Sequence, residues 1–204
     1  MDELNNNHFE IIKEFSLDKD ALLRSRCAAL LINFQTDDSL KLLLHLCSDT
    51  DDLVRAEAYD SLGAFVFPKV ERTLFKSINS EKNTLPLEYA IFSWADVSSK
   101  LHNDFQFHIS FIKKLLQKNK SEEYAESQIR LACCYALQLF GCNSIYSMIQ
   151  FLNHEEYLIR CSALNLLYDL LNNENEDLIK SAVLERLNNE ETIAVKCEAE
   201  KFFQ

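Results

Sequence analysis

Apolar positions along this chain fall at helical spacing. Residues 68–78 carry Val70, Leu74 and Ile78 at every fourth position. Residues 143–152 carry Ile145, Met148, Ile149 and Leu152, and residues 175–187 carry Leu178, Ile179, Val183 and Leu187. Recurrence at three and four residues marks one face of an α-helix. Between these stripes a second pattern returns: an acid, two variable positions, an aliphatic residue, a base, two further positions, then a small residue followed by Leu or a relative. The clearest copy runs from Asp51 through Val54-Arg55 and Ala58 to Ser61-Leu62-Gly63. Others start at Asp20 (Leu23-Arg24, Cys27), Glu126 (Ile129-Arg130, Cys133) and Glu156 (Ile159-Arg160, Ala163). A weaker copy has Val195-Lys196 and Ala199, and a degenerate one has Leu87-Glu88 and Ile91.

Counted at the basic position, the copies are 31, 33, 42, 30 and 36 residues apart. Periods of this size belong to two-helix repeats, in which neither helix buries its stripe alone. The pattern predicts a first helix near 5–15 and then alternating A and B helices. A helices are expected near 19–34, 51–66, 85–100, 122–140, 156–172 and 191–203. B helices are expected near 38–47, 68–79, 103–118, 143–153 and 175–188. Gly141 reads as a helix stop, and Asp18, Ser121, Asn143 and Asn175 as candidate N-caps. The expected fold is all-α, an α-α superhelix of about five helical hairpins plus terminal helices, with residues 1–204 as one domain.

Composition supports this and removes several functions. Two Gly and two Pro among 204 residues leave too few turns for barrels or sandwiches. They also leave no Gly-rich phosphate cradle. The net charge is −11, which disfavours general nucleic-acid binding. It is uneven: −7 over residues 1–60, +4 over 61–120 and −8 over 121–204. Seven cysteines without a CxxC pair or zinc spacing read as structural thiols in a reducing cytoplasm. The polar N-terminus does not resemble a signal peptide. The longest apolar run, residues 131–137, is far short of a membrane span.

The repeated residues resemble HEAT repeats, specifically the short HEAT-like type of phycobilisome-lyase-related proteins. Val54-Arg55, Ala58 and Ser61-Leu62-Gly63, followed by Pro68 and Leu74, carry the likeness, and Ile129-Arg130, Cys133, Ala136-Leu137 and Gly141 repeat it. The resemblance implies a HEAT-like solenoid and leaves function open, because repeat scaffolds host many activities. The third copy departs from it: Glu88 replaces the base.

The row Arg24, Arg55, Arg130 and Arg160 could be a phosphate ladder. Each, however, follows an acid by four residues (Asp20, Asp51, Glu126 and Glu156), which reads as a helix-stabilising pair. The row is therefore expected to be structural, and the resemblance to HEAT-like repeats implies an inter-repeat ladder. No histidine sits at ligand spacing and no nucleophile motif is present, so neither a metal nor a cofactor is expected, and no catalytic residue. Cys133-Cys134 and Trp94 read as packing. The acid pairs Glu122-Glu123, Glu155-Glu156 and Glu190-Glu191 read as helix starts.

One patch stands out. Phe105, Ile109, Ile112 and Leu116 form the expected buried stripe of the helix near 103–118, which turns Phe107, Phe111 and Lys114 outward. On the preceding B helix, Lys69, Arg72 and Lys76 point away from Val70, Leu74 and Ile78. B helices line the concave side of a solenoid, so these six residues are the candidate protein-binding site. The expectation is a non-enzymatic, cytoplasmic protein-binding scaffold, either an adaptor or an immunity or antitoxin-type inhibitor. No membrane, nucleic acid or small-molecule cofactor is expected as a partner. The alternatives are a nucleic-acid-binding HEAT-like enzyme, such as an alkylpurine DNA glycosylase relative, and a chromophore lyase-like protein.

Overall fold

The computed structural model describes residues 6–203, and among them every regular element is a helix. The helices are α1 (Asn6–Phe15), α2 (Ala21–Leu31), α3 (Asp37–Leu46), α4 (Asp52–Leu62), α5 (Pro68–Ser80), α6 (Thr84–Leu101), α7 (Gln106–Lys118), α8 (Tyr124–Leu139), α9 (Ile145–Gln150), α10 (Tyr157–Asp169), α11 (Glu176–Asn189) and α12 (Ile193–Glu200). A 3₁₀ turn follows α9 at Phe151–Asn153 and another follows α12 at Lys201–Phe203. Every expected A and B helix is present. The expected start of α1 at residue 5 lies outside the described residues. None of the described helices is long and apolar enough to cross a membrane.

The chain divides into two compact units, Met1–Phe105 and Gln106–Gln204. In the N-terminal unit, α2, α4 and α6 stack side by side. Serines allow the close approach: Ser61 Oγ donates to Ala28 O at 2.9 Å, and Ser93 Oγ lies 3.5 Å from Asp60 O one repeat later. Leu31, Leu43, Leu46, Leu62, Leu74, Ile91 and Trp94 are the large side chains sealed within it. In the C-terminal unit, α8, α10 and α12 supply Leu131, Ile159, Leu167 and Val195 to one core, the 3₁₀ turn after α12 adds Phe202, and α9 and α11 close it with Met148, Ile179 and Val183. Trp94 and the Cys133-Cys134 pair are core, as their spacing implies.

Helix ends show local chemistry at work. Gly141 takes φ +81°, a left-handed conformation that costs glycine little. Its N–H reaches Gln138 O and the next N–H reaches Leu137 O, the Schellman closure of a helix. The N-cap of α2 is Asp20 rather than Asp18, and Asp51 caps α4. Ser144, not Asn143, holds the N-cap position of α9, and Glu123, not Ser121, that of α8.

Those caps revise the arginine row. Asp20 and Asp51 turn to their own helix amides, so they do not pair with the arginines four residues on. Arg24, Arg55 and Arg160 reach instead to an acid one repeat ahead. Arg24 Nε and Nη2 both donate to Asp49 at 2.7 Å. Arg55 holds Glu81 at 2.8 and 3.0 Å, and Arg160 holds Glu190 at 2.9 and 3.1 Å. In each case Nη1 donates to two carbonyls of the loop before its own helix: Asp18 and Lys19, Asp49 and Thr50, His154 and Glu155. The carboxylates in turn accept the amides that open the next helix, such as Asp51 N–H on Asp49 and Thr192 N–H on Glu190. Planar forks of this kind are strong and geometrically exacting. The row is structural: Arg24, Arg55 and Arg160 tie one repeat to the next, as the resemblance to HEAT-like repeats implies, and not one helical turn to another, as the acids four residues back suggest.

Two measurable consequences follow from the clamps. Arg55→Ala leaves the Glu81 carboxylate buried and unpaired, and should cost about 2 kcal/mol in denaturant unfolding. Burial pushes the Glu190 carboxyl up, but the Thr192 amide and the Arg160 and Arg186 guanidinium groups outweigh it and hold it down to about 2. Its stabilisation is therefore complete above the ordinary value of 4.5 and fades as pH falls from there toward about 2. Glu190→Gln should flatten the melting midpoint measured between pH 5 and pH 3, whatever its effect at neutral pH.

Candidate functional site

α5 starts from Pro68, whose fixed φ suits a first helical position. Val70, Leu74 and Ile78 are buried, and this fixes the helix's rotation. Lys69, Arg72 and Lys76, offset by one position and spaced three and four apart, then share the outer face. α3, in the same unit, starts from a capping box in which Thr36 and Ser39 satisfy each other's amides. Between the two helices runs an open groove of about 490 Å³, with Leu44 and Ser48 on the α3 side and Lys69, Arg72 and Lys76 on the α5 side. Tyr59 of α4 forms its floor, with its hydroxyl donating to Cys47 O at 3.2 Å. Burial pushes this phenol up and so keeps it neutral.

No carboxylate lines the groove. Glu71, the one acid on α5, faces α6, where it accepts from Ser98 Oγ at 3.0 Å and lies 2.8 Å from His102 Nε2. The hydroxyls of Thr73 and Ser80 already donate to backbone carbonyls of α5. The charged donors that face a ligand are the ammonium and guanidinium groups of Lys69, Arg72 and Lys76, which are exposed and pair with no acid among the described residues. By contrast Lys13, Lys41, Lys180 and Lys201 each hold an acid three or four residues back along the chain.

The other three expected site residues lie on α7, in the C-terminal unit. Phe107 is 61% exposed and Lys114 is exposed, but Phe111 is half-buried. The helix begins at Gln106, so Phe105 lies ahead of it, and its buried positions are His108 and Ile112. That stripe is rotated from the expected one and carries Phe111 onto its flank. Sequence reasoning thus found the three cations that share a groove. It missed the wall from α3, because nothing in residues 37–48 marks them as facing α5.

The cysteines show no activated thiol among the buried set: burial pushes Cys47 up to about 12 and Cys134 up to about 11, and raises Cys133 further.

Comparison with known proteins agrees with the repeat geometry. HEAT repeats match residues 10–85. Residues 10–85 are HEAT-like repeats, and the helical hairpins that follow are consistent with a HEAT-like solenoid. The matched repeats are those that build the α3–α5 groove, and the match does not extend to the phycobilisome-lyase type. No curated protein matches this HEAT-like chain. The crystal structure of an engineered protein is similar at 15% identity and a TM-score of 0.46, over 98% of this chain and 97% of that one, a likeness that says nothing of function.

Because the three cations are exposed and pair with no acid among the described residues, Lys69→Glu with Arg72→Glu and Lys76→Glu should keep the melting midpoint within about 2 °C of wild type. A calorimetric scan of the variant checks this.

Proposed function

We propose that this HEAT-like protein is a non-enzymatic scaffold whose α3–α5 groove receives an acidic segment of a partner protein. The observation that carries the reading is the convergence of three unpaired cations on one groove in a chain of net charge −11. Several acids elsewhere are held in clamps, caps and helical pairs, and none lies among the described residues that line this groove. HEAT repeats form helical scaffolds that commonly mediate protein interaction, which supports a protein as the occupant. A groove without a carboxylate supports binding over hydrolysis, and the strongly acidic remainder of the chain repels a polyphosphate backbone. Exposed Phe107 offers a separate apolar anchor. The free, mostly buried cysteines support a reducing compartment such as the cytoplasm. An adaptor or an inhibitor of the immunity or antitoxin type would use such a surface in the same way.

The test is titration with a capped Glu-rich peptide and with a duplex DNA of equal charge, at low and moderate salt. The peptide should bind more tightly, weaken as salt rises, and lose at least tenfold in affinity, about 1.4 kcal/mol, in the Lys69→Glu, Arg72→Glu, Lys76→Glu variant. Tighter binding of the duplex, or an unchanged affinity in the variant, would reject the proposal.

A further inference from the structure

The arginine row has one rung that differs from the others, and it lies within the C-terminal unit. α2, α4 and α10 each begin three residues before their arginine, but α8 begins at Tyr124, six residues before Arg130. Arg130 therefore sits almost one turn deeper in its helix. Its Nη1 donates to Ser121 O at 3.2 Å and to the Glu122 carboxylate, not to a pair of carbonyls five and six residues back.

The acceptor from the following repeat is also changed. The clamping acids Asp49 and Glu190 stand six residues before the next basic position, Arg55 and Lys196, and each accepts the amide two residues on. The residue six before Arg160 is His154. Its Nδ1 accepts the Glu156 N–H at 3.1 Å, the same amide role. An amide can only donate, so the proton of the neutral ring sits on Nε2, which lies 2.9 Å from Ser127 Oγ and 3.3 Å from Glu122 O. His154 thus has no oxygen to offer a guanidinium. Arg130 Nε and Nη2, the edge that grips a carboxylate in the other three rungs, have no protein acceptor among the described residues.

That arginine lines an open pocket of about 430 Å³, with His154, Gln150, Ser147 and Phe151 around it. The guanidinium carbon stands 5.5 Å from the centre of the Phe151 ring, which steadies its plane. Glu122 is the one acid in the lining. Its side chain is 74% exposed, and a surface ion pair of this kind holds its arginine weakly.

We propose that this pocket binds a carboxylate ligand, which takes the place of the missing acid on the Nε–Nη2 edge of Arg130 and completes the rung from outside the chain. The inference is independent of the groove on the N-terminal unit. Two sources share the chemistry: a small carboxylic acid, or the acidic side chain of a bound peptide. The neighbouring cavity is rimmed by Glu123, Glu155 and Glu156, and these acids favour a singly charged carboxylate over phosphate.

The experiment follows the arginine Nε–H resonances of ¹⁵N-labelled full-length protein during titration with acetate, with a capped Gly-Glu-Gly peptide and with inorganic phosphate, at constant ionic strength set by chloride. Arg130→Lys identifies the Arg130 signal by its loss. A saturable shift of that signal with acetate or the peptide, and a weaker one with phosphate, is expected. A peptide at least tenfold tighter than acetate makes the source a protein side chain, and equal affinity makes it a small acid. His154→Glu supplies the acid from within the chain. It should raise the melting midpoint, place the Arg130 signal near its ligand-bound position and weaken carboxylate binding at least tenfold. Arg130→Lys, which keeps the charge and loses the fork, should also weaken binding if the chain holding the glutamate does not fold. An Arg130 signal that moves with no probe, phosphate binding more tightly than both carboxylates, or undiminished binding in Arg130→Lys would overturn the proposal.

Discussion

The fork between an arginine on one A helix and a carboxylate at the mouth of the next is the interaction on which the repeat geometry depends. Each guanidinium joins two carbonyls behind it to a carboxylate ahead of it, and that carboxylate holds the amides that start the next helix. One guanidinium thereby meets four oxygens from two chain segments, the two loop carbonyls behind it and both carboxylate oxygens ahead of it. Loop, helix start and inter-repeat spacing become a single constraint. Apolar stripes alone would let neighbouring hairpins slide, since hydrophobic contact has no direction. The fork supplies the direction.

The same constraint organises the surface. Acids drawn into forks and caps do not neutralise bases elsewhere, so a chain rich in acid still presents Lys69, Arg72 and Lys76 without partners. The buried stripe of α5 decides which way these three point, and the closeness of α3 turns a charged face into a groove. In the fourth repeat one extra turn of helix and one histidine are enough to leave a guanidinium edge unused beside a pocket. Scaffold and candidate sites are therefore variations on one repeat, differing by where the charges find a partner.

Much of the fold is legible in the order of residues. The apolar spacing, the returning acid-aliphatic-base pattern and the scarcity of glycine locate every helix among residues 6–203 to within a few positions. They also mark Trp94 and Cys133-Cys134 as core, because these features are local: a stripe at 3.6 residues per turn specifies a helix and its buried face before any neighbour is known. The three cations of α5 share a face for the same reason. The stripe of α7 was less legible, since His108, a polar residue by type, is buried and rotates the helix away from the expected register.

Pairings across repeats could not be read in this way. Asp20 and Arg24 are four apart and of opposite charge, yet the acid caps its helix and the arginine holds Asp49 instead. Glu190 looks like a helix-start acid and is in fact a clamp. A weak signal existed in the acids standing six residues before a basic position, but a spacing cannot say which of two nearby acids an arginine meets. That choice depends on the packing of whole hairpins, which brings residues about 25 to 30 apart within hydrogen-bond reach. The sequence by itself determined the helices, their buried faces and the charges they display. Only the tertiary structure decided which charges meet, because a side chain's local spacing sets its direction while the distance to its partner is set by the stacking of repeats.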